Sequence, residues 1–493
     1  MNHSWLPRAA TTALAGLLVA GVGALAPMAP AQAAVKKVSL PWFLAGIGWH
    51  DTASTATGTT ISAAVDALGG STLTSAGYDG KGIGIAMIDT GVAPVAGLTG
   101  GNVVNGPDLS FESQDPATRY LDRDGHGTHL AGIMVGRRAG DFGGGAAPGA
   151  KLTSIKVGSA TGAVDVGQVI AGIDWAVAHR SDDPSAKIRI IELAYGTDGV
   201  QSPQLDPLAH AVESAWRAGI VVVVAGGNSG GATRLLNPAT DPYVIAVGAL
   251  DTMGTTTLGD DEIADFSSRG DSSRKLDLVV PGRSLLSLRA PGCAADTAFP
   301  AARVGSNEFK GSGSSQATAL AAGAVALLLD ARPTLTPDQV KRLLMRNARP
   351  ITSTGAADTG IKAMDLRAAR ADTGSTTAQT WPKSTGLGTL EGARGTVHVS
   401  DGTTELRGES DIFGPLSTTN WAAAATNTWA WNTSGQWMGR TMTGSGYAAG
   451  ASGVSSWSGR AWSGRAWSGR AWSESAWASV AWNGAGWSGS GWN

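Results

Sequence analysis

Apolar residues in this chain gather in short, near-continuous runs rather than alternating with polar ones. Runs at 82–88, 151–157, 188–193, 220–224 and 244–247 are each bounded by Gly, Pro or Asp. Such runs suit strands covered on both faces, as inside a parallel sheet. Between them the spacing turns helical. Asp165 is placed to cap a helix over 166–180, and a second over 206–218 stops at Gly219. Residues 315–330 are apolar almost all round, which predicts a buried central helix. Thr336, Pro337 and Gln339 spell the opening of another: a capping hydroxyl, a proline at the first helical position and a glutamine at the third. Strands alternating with helices predict an α/β fold, a three-layer domain with a mostly parallel central sheet over about 69–370.

The two ends read differently. Arg8 precedes an Ala/Gly/Leu-rich stretch, and Ala31-Gln32-Ala33 has the small-x-small form of a cleavage site. Residues 1–33 are therefore expected to be a signal peptide rather than a membrane anchor. Residues 34–68 form a short segment of low charge. Residues 371–420, rich in Thr, Gly and Ser, read as a linker. Residues 421–493 read as a Trp-rich pentad-repeat tail, in which tryptophan recurs every five residues from Trp457 to Trp492 and in degenerate form back to Trp437. No run after the leader is expected to cross a membrane. A net charge of −2 gives no footprint for nucleic acid. Cys293 is the sole cysteine, so no internal disulfide forms, and its setting after Pro291-Gly292 reads as a spectator thiol.

Four segments carry chemistry. In chain order they are Ile88-Asp89-Thr90-Gly91, Asp124-Gly125-His126-Gly127-Thr128-His129, Gly227-Asn228-Ser229-Gly230 and Gly313-Ser314-Ser315-Gln316-Ala317-Thr318. They supply an acid, a base, an amide donor and a hydroxyl. A histidine can take the proton of a serine hydroxyl and return it to a leaving amine. A carboxylate behind the imidazole fixes its tautomer and stabilises its cation. Asp89 closes a predicted strand and His126 opens a predicted helix. His129 shares a helix face with His126; with no HExxH context it is assigned to packing, and no metal site is expected.

The order Asp, His, Asn, Ser and its flanking residues resemble the subtilisin-like serine peptidases, the subtilases, over about 69–369. The resemblance implies that Ser315 is the nucleophile, with Ser314 standing where threonine is usual. It implies that Asn228 and the Ser315 N–H are the oxyanion donors. Ala194, Tyr195 and Gly196 would be the strand that pairs with substrate, and Ala225, Gly226 and Gly227 the facing wall of the S1 pocket. Small residues there suggest an open cleft with broad preference for apolar P1 side chains. Protein or peptide substrates and hydrolysis without a cofactor follow; structural calcium is left open. Glu192 departs from the asparagine usual at its position, and a buried carboxyl there demands a partner or a raised pKa. Residues 34–68 are short for the usual inhibitory prodomain.

The tail fits neither common amphipathic pattern, since a five-residue step turns about 140° on a helix and alternates faces on a strand. Two readings stand: an aromatic array stacking on cell-wall polysaccharide, or a self-packing repeat that caps or tethers the domain. The expected function is a secreted serine endopeptidase, extracellular or wall-associated. The competing reading is a surface-binding protein that uses the same fold as a scaffold.

Overall fold

The computed structural model describes residues 58–442, apart from 232, 256–257, 352–359, 375–376 and 401–404, together with 458–459. The expected leader, most of 34–68 and the pentads beyond 459 lie outside the described residues. Seven parallel strands form the centre of a ten-stranded sheet. They are β1 (Ile83–Asp89), β2 (Val103–Asp108), β3 (Lys151–Lys156), β4 (Lys187–Leu193), β5 (Val221–Ala225), β6 (Ile245–Asp251) and β7 (Leu278–Pro281). Their spatial order is β7-β6-β5-β4-β1-β3-β2. Strand order reverses at β1, with β3 on one side and β4 on the other. Ligands of open α/β sheets bind at such a switch point, outside the carboxyl ends of the strands.

Seven of the helices bear on the site and its surroundings: α1 (His126–Val135), α2 (Val166–Ala178), α3 (Pro207–Arg217), α4 (Ser314–Ala331), α5 (Pro337–Arg346), α6 (Leu390–Arg394) and α7 (Thr418–Thr426). α1 packs against α4 in one layer, and α2 packs against α3 in another. The predicted caps form. Asp165 and Gln168 make a reciprocal capping box on α2, as Thr336 and Gln339 do on α5. By length and composition α4 could cross a membrane, contrary to the expectation that no later run could. It is instead the core helix, buried from Ser314 to Leu329 and packed on β4 to β7.

Two boundaries move. Thr59–Thr60 pairs with Leu285–Leu288, and Ile61, Ala64, Val65 and Leu68 are buried in the core. The domain therefore includes residues 58–68 rather than starting at 69. At the other end, the stretch expected as a linker is packed chain. Ser384 binds Glu213 through its N–H and His210 Nδ1 through its carbonyl. Arg394, wholly buried, pairs with Asp165 at 2.6 Å. Trp421 and Trp437 both direct Nε1–H to Asp174 Oδ2 at 2.8 Å, and Trp431 donates to the Ala171 carbonyl at 2.7 Å. The described residues of 384–442 thus cover the outside of α2 and α3. Trp437, expected as the start of an exposed repeat, is fully buried, as is Met442. Composition hides this because the anchors are sparse: an indole every several residues can hold a Gly/Ser-rich chain to a helix face.

Candidate active site

Asp89 ends β1 with its carboxylate fully buried, and His126 is the first residue of α1. Nδ1 of His126 lies 2.8 Å from both carboxylate oxygens of Asp89. The approach depends on glycine. A Cβ on Gly127 would strike the Gly91 carbonyl oxygen and stand 3.1 Å from Asp89 Oδ1. Gly125, before the histidine, sits at φ 110°, where other residues are strained, and a Cβ there would meet Cys293 Sγ at 2.5 Å.

Gly125 has no side chain to cap α1, and Asp122 does that work. Its Oδ1 accepts the N–H groups of Gly125 at 2.7 Å and Asp124 at 3.1 Å, and its Oδ2 accepts those of Thr128 N–H and hydroxyl at 2.7 and 2.6 Å. The Thr90 hydroxyl bridges the two acids, 3.1 Å from Asp89 Oδ1 and 2.9 Å from Asp122 Oδ1, and accepts the Gly127 N–H at 2.9 Å. Below it Lys156 Nζ donates to the carbonyls of Thr90 and Leu121, each at 2.8 Å, and pairs with Glu112 at 3.0 Å. These four residues are absent from the expected site. A lysine closing strand β3, where the chain turns into the core, is the sequence signal that points to them.

Burial sets the charge states around this pair. Burial pushes the Asp124 carboxyl well up, and the negative charges of Asp122 and Asp89 push it further. Burial lowers the imidazole of His129 to about 4; its Nε2 lies 3.0 Å from the Phe309 carbonyl, so it is a neutral packing residue. Among the described residues no group of three or more His, Cys, Asp or Glu could hold a metal ion. Glu192 is fully buried, with neither oxygen hydrogen-bonded among the described residues. Burial and then the charge of Asp89 raise its pKa well above the usual range. Of the two outcomes expected for this carboxyl, the raised pKa is the one found.

Ser315 is the second residue of α4, and the loop after β5 brings Asn228 to it. Asn228 Oδ1 accepts the Ser314 N–H at 2.8 Å, which turns its Nδ2 the other way. A Cβ placed on Gly313 would meet Gln316 Oε1 at 2.5 Å and lie 3.5 Å from Asn228 Nδ2 and 3.6 Å from the Ser315 nitrogen. Ser314 Oγ accepts the Gly227 N–H at 3.3 Å and so has a supporting bond of its own.

Ala194, Tyr195 and Gly196 follow β4, and Ala225, Gly226 and Gly227 run off the neighbouring β5, so the two segments face each other at the carboxyl end of the sheet. Leu236, not among the expected residues, lies between them. A Cβ on Gly196 would meet Leu236 Cβ at 2.6 Å, and one on Gly227 would meet its Cγ at 3.0 Å.

A family model described as the subtilase family matches residues 80–388. The chain belongs to the subtilases. Over 273 residues it is 40% identical to the serine protease AprX of Bacillus subtilis, covering 54% of this chain and 61% of AprX. It is 33% identical over 276 residues to subtilisin DY of Bacillus licheniformis, covering 55% of this chain and 85% of that one. Among solved structures it is similar to fervidolysin from Fervidobacterium pennivorans, a keratinolytic enzyme related to subtilisin. The TM-score is 0.50 at 28% identity, covering 62% of this chain and 45% of fervidolysin. The family match in this subtilase stops at residue 388, whereas its packed chain runs on to Met442. α6, α7 and the three buried indoles stand outside the shared region.

Proposed function

We propose that this subtilase is a secreted serine endopeptidase acting through Asp89, His126 and Ser315, with Asn228 and the Ser315 N–H as oxyanion donors. The observation that carries the reading is the approach of both Asp89 oxygens to His126 Nδ1 at 2.8 Å. With Nδ1–H held, Nε2 is the ring nitrogen left to act as base. Ser315 Oγ attacks the scissile carbonyl carbon as its proton passes to Nε2, and Asp89 stabilises the resulting imidazolium. The carbonyl oxygen becomes an oxyanion that accepts from Asn228 Nδ2 and the Ser315 N–H. The C–N bond then breaks as the imidazolium returns the proton to the leaving amine. Water repeats the sequence on the acyl-enzyme. No step uses a cofactor.

Substrates are proteins or peptides, paired along Ala194, Tyr195 and Gly196 and walled by Ala225, Gly226 and Gly227. Leu236 between these walls narrows the pocket, so small apolar P1 side chains fit better than the broad range expected from the glycines alone. Export rests on the leader at 1–33. Wall binding, if the tail performs it, belongs to the pentads from Trp457 onward, because Trp437 is committed to the core. Fluorophosphonate labelling tests the reading: the probe should attach to Ser315 in the full chain and fail on Ser315→Ala. A wild-type protein that stays unlabelled removes it.

A further inference from the structure

The substrate-binding segment continues into Thr197, Asp198 and Gly199, and these three residues are held by chain from beyond the family match. The Thr197 hydroxyl donates to the Ala393 carbonyl at 2.5 Å, in a buried contact. Asp198 accepts the Thr396 N–H at 2.7 Å and its hydroxyl at 2.5 Å. The fit is close. A Cβ on Gly199 would stand 2.5 Å from the Gly392 carbonyl oxygen and 2.7 Å from that of Ala393. Gly395 holds φ at +63°, and a Cβ there would strike Asp198 Oδ1 and stand 2.6 Å from the Gly199 nitrogen. Both glycines let backbone approach backbone where any side chain would force them apart.

The buttress is itself anchored. Arg394 is wholly buried and reaches Asp165 at 2.6 Å, the Gly408 carbonyl at 2.6 Å and the Ser410 carbonyl. A guanidinium so satisfied acts as a rigid fork. Asp165 caps α2, so the same residue ties α6 to the central domain.

We infer that residues 389–396 are part of the substrate cleft's frame and set its preference for extended peptides, with Thr197 and Asp198 as positioning residues. The inference rests on the reading of Ala194–Gly196 as the substrate-pairing strand. An extended peptide pairs with a strand through its backbone, so its affinity depends on how firmly that strand is held in register. A single-residue ester reaches only the nucleophile and the P1 pocket, and is indifferent to the outer end of the strand.

The test uses the full chain and two substrates: a peptide anilide with four residues before the scissile bond, and an N-acetyl ester of one apolar amino acid. Thr197→Val should raise KM for the anilide by about 3- to 10-fold, the weight of one buried hydrogen bond, and Thr396→Val, which loses an exposed bond to Asp198, by about 2- to 3-fold. Their kcat and their ester kinetics should stay within about 2-fold of wild type, and Thr197→Ser should restore the anilide KM. Thr396 lies on the exposed side of the contact, so its variant folds even if the Thr197 variant does not. An unchanged anilide KM in both variants overturns the inference, as does equal loss on the two substrates, which marks a merely structural role. Wild-type protein that cleaves neither substrate and takes no label at Ser315 overturns the peptidase reading, and this inference with it.

Discussion

Glu192 and Asp89 put two carboxyl groups on the same face of the central sheet. Glu192 on β4 is in register with Met87 on β1, and Asp89 is two residues further along the same strand. Alternate residues share a face, so both side chains project toward the layer of α1 and α4. Asp89 is met by His126 and the Thr90 N–H, whereas Glu192 meets no hydrogen-bond partner among the described residues. Neither α4 nor β5 brings a charged side chain near it: the one acid on α4, Asp330, stands at the far end of the helix. Two anions here would repel through a medium of low polarity, and the one without donors is the one kept neutral.

Replacing Glu192 with Gln therefore copies the working charge state. We expect Glu192→Gln to keep kcat/KM within about 3-fold of wild type at neutral pH. A raised pKa contributes stability that is fully present below the ordinary carboxylate range and is lost as pH rises through the raised value. The variant should accordingly gain in thermal midpoint over wild type as pH becomes alkaline. A neutral-pH activity loss of tenfold or more would show that the charged form is used.

Ser315→Ala should abolish peptide hydrolysis, by about 10⁶-fold in kcat on the magnitude known for subtilisin itself. Ser314→Ala removes only the acceptor of the Gly227 N–H and should cost a few-fold. Asn228→Ala should lower kcat by about 100- to 1,000-fold with little change in KM, again a figure taken from subtilisin. Steady-state kinetics of the three purified variants decide the assignment; loss confined to Ser314→Ala reverses it.

Leu236 is expected to limit the P1 pocket. Leu236→Gly should raise kcat/KM for phenylalanine over alanine at P1 by about tenfold or more, since even one methylene in a hydrophobic pocket is worth about 1–3 kcal/mol. Unaltered P1 ranking in a peptide library would place the pocket elsewhere.

Asp174 makes the C-terminal segment sensitive to pH. Burial raises its carboxyl to about 7, against the indole hydrogen bonds of Trp437 and Trp421, which lower it. The folded state holds this proton more tightly than the unfolded chain does. Stability from this group is complete below about pH 4 and declines as pH rises to about 7, by on the order of 4 kcal/mol. Asp174→Asn should flatten that slope, as measured by urea unfolding at pH 5 and pH 8. Parallel slopes for variant and wild type would refute it.

Chain length gives a further check. A chain ending at Ala369 loses the indoles that cover α2 and α3, exposes a broad apolar face and should aggregate or melt well below wild type. One ending just after Met442 should keep wild-type kinetics on small peptides. Retention on purified cell-wall material then reports on the pentads alone.

Much of the domain was legible because it is local. Apolar runs marked five of the seven parallel strands, four of them to within a residue, while Val103–Asp108 and Leu278–Pro281 went unmarked; the caps at Asp165 and Thr336 formed as spaced, because a cap involves only residues three apart. The residues expected for catalysis were recognisable for the same reason, each sitting in a short motif at the end of a strand or the start of a helix. Other features depended on partners far apart in the chain. Asp174 meets Trp437 across 263 positions, Thr197 meets Ala393 across 196, and Lys156 reaches Thr90 across 66. No periodicity or composition records such pairs. The sequence by itself determined the α/β layering, most of the strands and the candidate chemical groups, because these follow from local spacing. Only the tertiary structure decided that burial raises the pKa of Glu192, that Leu236 stands between the cleft walls and that Ser384, Arg394 and the indoles of Trp421, Trp431 and Trp437 anchor their stretch of chain to the domain. Each of those outcomes is set by what burial brings next to a side chain, not by its neighbours in sequence.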